Sequence, residues 1–432
     1  MKQNSIKFKI NQRMLFFISI CYLFEIIYCS GQNIITIKIK GTGDFEFINQ
    51  NKLRFVEKIT TSHQPSYKPD NNIVHLEGEE NIIKIEFNPS NMPSLDSLFQ
   101  NCKDIIEIDF SEFSSPYSGM NRMFEGCTKL KSINFTNFDT SNAKDMEYMF
   151  KDCSSLINLD LSMFNTNNVE KMCYMFSDCT KLNSLDLSNF NTPKVTIMQN
   201  MFANCTSLKN LDLTYFNTSM VTNMDNMFNG CKNLNPLNLS NFDISNVINM
   251  EKMFKGCSSL MSLDLSNFRN NNIINTCYMF SGCSNLMSLY ISNFDTSKVT
   301  LMQNMFDGCY DLKTLDLSSF KTPLVTRMDN MFNDCKNLST LDLSNFDISN
   351  VINMEKMFQG CNCLITLNLS NFKANNVSNI CFMFKGCTRL KTLDLSNLDT
   401  SKVTLMQHMF EGCSSLNSLD LSNFNTNVVV NM

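Results

Sequence analysis

The sequence predicts an α/β solenoid, a stack of coils each made of strand, loop and short helix, with a β cap over its N-terminal end. Three observations carry that expectation. Cysteine recurs at 127, 153, 179, 205, 231, 257, 283, 309, 335, 361, 387 and 413, always 26 residues apart. Each of these cysteines has Met-Phe four and three residues before it and Gly, Asp or Asn immediately before it. From Met123 onward the register never slips, so every unit has one shape and stacks on its neighbours.

One unit, from Met149 to Tyr174, justifies each element. Leu156, Leu159 and Leu161 mark a short strand with one buried face. Phe164 turns inward, and Asn165 to Asn168 form a polar loop. Val169, Met172, Met175 and Phe176 follow at spacings of three and four, the apolar stripe of a short helical segment. The Gly, Asp or Asn before each repeat cysteine suits a left-handed residue closing that helix. No coil can bury its apolar side alone, and stacking does so.

The pattern Met-Phe-x-Gly-Cys-x-x-Leu-x-x-Leu-Asp-Leu-Ser, as it stands at Met305 to Ser318, resembles the BspA-like leucine-rich repeats of surface proteins, and most closely their 26-residue branch. The resemblance extends over roughly residues 82 to 432. It implies a secreted or surface-attached leucine-rich-repeat solenoid used in adhesion and protein binding, with no catalytic residues to carry over.

The chain has 432 residues, 43% of them hydrophobic, and a formal net charge of −5. As one elongated array it needs no division into globular domains. Past the extreme N-terminus no basic run occurs, which argues against nucleic acid as a partner. Residues 1–31 read as a signal peptide: Lys2, Lys7, Lys9 and Arg13 precede the apolar run Met14 to Phe24, and Ser30-Gly31 offers a cleavage site. The run is short for a membrane span, an uncleaved anchor being the alternative. Ile20 before Cys21 is too large for a lipoprotein signal, so a lipid anchor there is not expected. A membrane would enter only through an anchor not visible in this sequence.

Residues 32–81 do not repeat and are expected to form the N-terminal β cap, with strands at Ile34–Lys40, Asp44–Ile48, Leu53–Ile59 and Asn72–Glu77. Residues 82–122 read as two degenerate repeats. In the first, Ile82, Ile85 and Phe87 fill the leucine positions and Leu95, Leu98 and Phe99 the helical ones; the second has Cys102, Ile105, Ile108, Phe110 and Phe113. Residues 123–432 are twelve regular repeats, the last incomplete. Because Met432 falls within a coil, the chain is expected to be a fragment of a longer one.

A longer period overlies the first. The residues two before each Met-Phe pair run Glu147, Cys173, Gln199, Asp225 and repeat that order every 104 residues, through Glu251, Cys277, Gln303 and Asp329 to Glu355, Cys381 and Gln407. The array grew by copying blocks of four coils.

The repeat cysteines admit a disulfide ladder or metal ligation, but neighbouring coils lie about 4.8 Å apart with side chains parallel, poor geometry for a disulfide. Zinc-type spacing is missing and His63, His75 and His408 are scattered. Buried free thiols acting as small apolar fillers are therefore expected, with no metal and no cofactor. Cys173, Cys277 and Cys381 interrupt a polar column and are either shielded by neighbouring coils or free, exposed thiols open to intermolecular bonding. The methionines are read as core.

The outward strand position carries Asp160, Asp186, Asp212, Asp264, Tyr290, Asp316, Asp342, Asp394 and Asp420, with Asn134, Asn238 and Asn368 between them. Stacked carboxylates about 5 Å apart repel by roughly 0.8 kcal/mol per pair even in water-like surroundings. They need local hydrogen bonds to the Ser that follows, a bound cation or a cationic partner. Together with Tyr290 as an aromatic anchor, the column is the candidate partner-binding face. Sequons stand at Asn134, Asn204, Asn217, Asn238, Asn337, Asn368 and Asn376. No nucleophile elbow, phosphate loop or zinc-protease motif is present, so an enzyme is not expected. The function expected is a non-enzymatic scaffold, secreted or on the cell surface, that binds an extracellular protein or glycan through an extended repeat face. The alternative is a self-assembling coat or matrix protein.

Overall fold

The computed structural model describes residues 33–88, 92–114, 117–269 and 272–431. The expected signal segment and Cys21 lie outside them. The N-terminal part alternates buried and exposed side chains and forms five strands, β1 (Ile34–Lys40), β2 (Gly43–Glu46), β3 (Val56–Thr61), β4 (Ile73–Leu76) and β5 (Glu80–Phe87). A 3₁₀ helix, Gln50–Phe55, occupies the start of the third expected strand and displaces β3 towards Thr61. β1 pairs antiparallel with β5 on one side and with β6 (Ile105–Asp109) on the other. β6 then pairs in parallel with β7 (Ser132–Asn134), so one sheet in the order β3-β5-β1-β6-β7 runs from the non-repeating region into the coils.

The first degenerate repeat is therefore only half a coil. Its turn half stacks as expected: Leu95, Ser97 and Phe99 donate their backbone N–H groups to Gly119, Asn121 and Met123 of the next coil, at 2.8–3.0 Å. Its strand half does not stack, because Ile82 to Phe87 lie in the antiparallel β5. There Ile83, Ile85 and Phe87 face the core while Ile82 stays exposed, so the register assigned to Ile82 is corrected. In the following stretch Cys102, Ile105, Ile108, Phe110 and Phe113 are all buried.

Beyond β7 the outer strands are short: β8 (Asn158–Leu159), β9 (Ser184–Leu185), β10 (Asn210–Leu211), β11 (Ser262–Asp264), β12 (Ser288–Tyr290), β13 (Thr340–Asp342) and β14 (Thr366–Asn368). They pair in parallel, residue for residue 26 apart, as Leu263 with Leu289 and Leu341 with Leu367. A second ladder is longer. Parallel bridges link Gly119, Asp145, Lys171, Ile197, Asn223, Asn249, Asn275, Leu301, Arg327, Asn353, Asn379, Leu405 and Asn431 in unbroken succession.

The expected short helix is not formed; among the described residues the chain is a β-solenoid with almost no helix. Between Met146 and Cys153 the backbone N–H groups alternate in direction. Those of Met149, Lys151 and Cys153 bond three residues back within the coil, at 3.1–3.3 Å, while those of Tyr148, Phe150 and Asp152 bond carbonyls of the next coil, at 2.9–3.0 Å. With every second donor given to a neighbour, the four-residue ladder of an α-helix cannot propagate. Tyr148 (φ 58°) and Asp152 (φ 61°) are both left-handed, so the chain turns back every four residues. That reproduces the three-and-four spacing of a helical stripe.

The core is a set of stacked columns. Phe150, Phe176, Phe202 and Phe228 lie ring on ring with centroids 5.6–5.7 Å apart. Phe164, Phe190 and Phe216 form a second column at 6.2–6.4 Å. A column of buried threonines adds polar ties: Thr192 donates to the Asn217 carbonyl at 2.8 Å and accepts from the Asn217 N–H at 3.0 Å. The glycine before a repeat cysteine matters most where the coil below is bulkier. At Gly360 (φ 73°) a Cβ would come within 2.4 Å of Asp334 Oδ1.

Candidate binding face

The strand ladder alternates exposed and buried side chains, as in Ser262, Leu263 and Asp264, and the outward ones make a regular surface. Asp160, Asp186 and Asp212 follow one another on the β8–β9–β10 sheet or just beyond its strands. Asp264 and Tyr290 are direct partners in the β11–β12 pair, and Asp342 pairs with Asn368. Asp316, Asp394 and Asp420 hold the same position in coils without a named strand there. All nine predicted residues are exposed.

The carboxylates have local partners. In every one of the eight, Oδ1 accepts the backbone N–H of the Ser or Thr two residues on, at 2.9–3.0 Å, as Ser162 to Asp160, Thr214 to Asp212 and Ser318 to Asp316. Bonds of this kind stabilise the charged form and hold all eight below the usual aspartate range. At Asp186 the flanking Asp212 and Asp160 push the other way, more weakly than the bonds from Ser188. Asn238 and Asn368 accept the same bond from Ser240 and Ser370, at 3.0 and 3.1 Å. The column is thus a structural turn element that also presents a row of ionised carboxylates.

Two features of this face escaped the sequence reading. Tyr290 is 58% exposed; Met287, three residues before it, and Met261 of the preceding coil are 45% and 50% exposed. Met287 donates to the Met261 carbonyl at 2.9 Å, so the two are neighbours in adjacent coils. The methionines of the inward stripe are core, but Met163 and Met220, which also lie outside it, are 54% and 52% exposed; a place outside the helical-looking stripe was the available signal. The second feature is a concavity of about 580 Å³ over Thr314, Asp316, Thr340, Asp342, Thr366 and Asn368, a double row of hydroxyls and carboxylates or amides. In the loop after the strand, Asn189 donates to the carbonyls of Leu161 and Phe164, at 2.9 and 2.6 Å, and ties successive coils.

Cys173, Cys277 and Cys381 are not on this face; of the two expected alternatives, that of exposed thiols is corrected, since all three are buried and shielded by neighbouring coils. The Cys173 thiol donates to Glu147 Oε1 at 2.6 Å, and that of Cys381 to Gln407 Oε1. Burial pushes the Cys277 thiol up to about 12. Burial, and then the adjoining Glu147 carboxylate, also raise that of Cys173. The repeat thiols each donate to a phenylalanine carbonyl of the preceding coil, at 3.1–3.2 Å from Cys127 through Cys413. Among the described residues no three His, Cys, Asp or Glu side chains converge to hold a metal.

Parallel strand and turn ladders closed over columns of leucine, phenylalanine and cysteine define a leucine-rich-repeat type of β-solenoid. Residues 118–214, 176–290, 275–392 and 362–432 match the family described as Mycoplasma protein of unknown function, DUF285, and the chain belongs to that family. No curated protein matches it. Among solved structures it is similar to the TLR13 chain of a complex with ssRNA13, with 21% identity over 74% of this chain and 40% of that one and a TM-score of 0.25. The chain thus spans two fifths of the TLR13 chain. It is also similar to a leucine-rich repeat protein from Eubacterium ventriosum, with 16% identity over 69% of this chain and 87% of that one and a TM-score of 0.30. A third is the mouse RP105/MD-1 complex, with 14% identity over 73% of this chain and 76% of that one and a TM-score of 0.20.

Proposed function

We propose that this protein is a non-enzymatic scaffold that acts outside the cell, at or near a cell surface. There it binds a cationic or polyhydroxylated partner, a protein or a glycan, across its strand face. The observation that carries this reading is the exposed trio Met261, Met287 and Tyr290 in adjacent coils, with Asp264 and Asp316 on either side of Tyr290 in the outward column. An apolar, aromatic centre with a charged surround is the anatomy of a binding hot spot. The carboxylates are already held ionised by their turns, so a cationic partner meets them without reorganisation. The neighbouring groove of threonine hydroxyls and Asp316, Asp342 and Asn368 supplies hydrogen-bonding groups for sugar hydroxyls.

The N-terminal segment supports export and the antiparallel sheet acts as the cap: β5, β1 and β3 continue the sheet edge that β6 would otherwise leave bare. Among the described residues no helix is long and apolar enough to cross a membrane. The test uses the full chain against immobilised polylysine and chitosan, with polyglutamate as the reference surface. Retention on one of the first two that weakens with salt is expected. It should be lost when Asp316→Asn, Asp342→Asn and Tyr290→Ser are combined. Equal retention by the triple variant places binding on another face.

A further inference from the structure

A basic stripe runs along the edge of the strand face where the strands begin, across from the aspartates at their ends. Lys131 stands immediately before β7, and Lys209 immediately before β10, which Asp212 follows directly. Lys313 and Lys391 hold the same place in their coils, the fourth residue after the repeat cysteine. Backbone bonds keep this column in line: Lys209 donates to the Asn183 carbonyl at 3.3 Å, Asn235 to that of Lys209 at 3.0 Å and Asn417 to that of Lys391 at 3.2 Å. In the adjoining turn, Lys129, Lys181 and Arg389 stand two residues after their cysteines, and Lys232 and Lys336 one residue after. All nine side chains are exposed. At these three positions of the twelve repeats only one acidic residue occurs, Asp311, in a chain whose net charge is −5.

Most of these cations are not neutralised within the chain. Among the described residues, Lys129 alone of the nine has a carboxylate within ion-pair distance, that of Asp104 at 2.6 Å. Like charges held in one row repel, and a negatively charged partner relieves that cost. Lys131 and Lys391 are ten coils apart, about 48 Å, so one partner that meets the whole stripe is an extended polymer. Its surroundings select among polyanions. The next position in the strands carries exposed hydroxyls, as at Ser132, Ser184, Thr314 and Thr392, which can bond sugar hydroxyls. The stripe holds one aromatic ring, Tyr310, and Lys336 lies over it at 4.2 Å. It therefore lacks the row of open rings on which unpaired bases stack. We propose that this stripe binds an anionic polysaccharide, bearing carboxylates or sulfates, laid along the solenoid axis. The stripe and the aspartates occupy opposite edges, so this binding neither requires nor excludes the cationic partner proposed above.

The full chain should be retained at low salt on dextran sulfate or alginate beads, with neutral dextran as the blank, and released by added sodium chloride. Combining Lys209→Gln, Lys313→Gln and Lys391→Gln should weaken retention by about tenfold. A variant with the same loss of charge elsewhere, Lys194→Gln with Lys298→Gln and Lys402→Gln, should bind as the parent does. Those three lysines donate to Asn168, Asn272 and Asn376 in a different column. Circular dichroism spectra of both triple variants should match the parent's. The combination of Asp316→Asn, Asp342→Asn and Tyr290→Ser should leave retention on dextran sulfate intact, which separates failure of this proposal from failure of the strand-face reading. Absence of retention at low salt overturns the proposal, as does equal weakening by the two lysine triples. Tighter binding of single-stranded DNA than of either polysaccharide would assign the stripe to nucleic acid and overturn it equally.

Discussion

The thiol of Cys153 donates to the backbone carbonyl of Phe124 in the preceding coil, with Sγ and O 3.1 Å apart. Both residues are fully buried, and the same contact recurs from coil to coil along the array. The thiol thus fills a small apolar space and adds a second hydrogen bond to a carbonyl that already accepts the Cys127 N–H at 3.1 Å.

From this follows an alkaline limit to stability. Burial raises the thiol of Cys231 to about 12, and those of its neighbours rise as well. Because the folded state holds these protons more tightly, their contribution is complete below the unfolded cysteine value, about 8.5, and is lost as pH rises above it. Each such thiol withdraws about 1.4 kcal/mol per pH unit above that point. Urea midpoints should be flat from pH 7 to 8 and fall steeply by pH 10. At neutral pH iodoacetamide should label the repeat cysteines only after unfolding; rapid labelling of the native protein would refute the burial argument.

The aspartate turns distinguish charge from hydrogen bonding. Asn238 already makes the bond that Asp342 makes. Asp342→Asn should therefore leave the melting temperature nearly unchanged, whereas Asp342→Ala should cost about 0.5 kcal/mol, the worth of an exposed hydrogen bond. The column's depressed carboxyl groups titrate below the unfolded aspartate value. Their contribution is present above pH about 3.9 and is lost on acidification below it. Carboxyl NMR titration of Asp160 and Asp186 reads this directly.

Core substitutions should be severe. Phe228 has Phe202 and Phe254 at 5.7 Å on its two faces, and Leu263 is almost wholly buried. Phe228→Ala and Leu263→Ala should each cost about 3 kcal/mol or more, from lost burial and a cavity. Thr192→Val keeps the shape but strands the N–H and carbonyl of Asn217, for a loss of about 2 kcal/mol. Chemical denaturation measures all three. A neutral Thr192→Val would mean that the threonine column is filler rather than a tie.

Asn330 sits at φ 56°, in the left-handed turn position held elsewhere by Tyr174, Lys252 and Phe382. The residues at this position are never β-branched, as such side chains clash there. Asn330→Gly should be tolerated, and Asn330→Val should cost about 1–2 kcal/mol. Equal stability of the two variants would argue against the left-handed turn.

Much of the molecule was legible because a repeat writes the same constraint many times over. The 26-residue beat, the inward leucines and phenylalanines, the left-handed residue before each cysteine and the outward aspartates could all be read from spacing alone. Each depends on which side of one coil a residue faces, and that is local information. The burial of Cys173 was harder to read. Its column alternates with the polar Glu147, Gln199 and Asp225, and the Glu147 carboxylate that accepts its thiol comes from the coil before.

What tertiary structure alone decided was where the backbone hydrogen bonds go. Val169, Met172, Met175 and Phe176 have helical spacing, and nothing within one coil says that Phe150 will donate to Met175 rather than to its own chain four residues back. That choice is made by a neighbour 25 residues away, because a stacked coil offers a carbonyl to every second donor and a helix in isolation does not. The same reason governs the first coil. Ile82, Ile85 and Phe87 carry the spacing of a repeat strand, but β1 lies beside them and the antiparallel pairing it offers turns Ile82 outward. Periodicity determined the inward columns of this protein; competition between possible backbone partners, a property of the assembled stack, determined what lies between them.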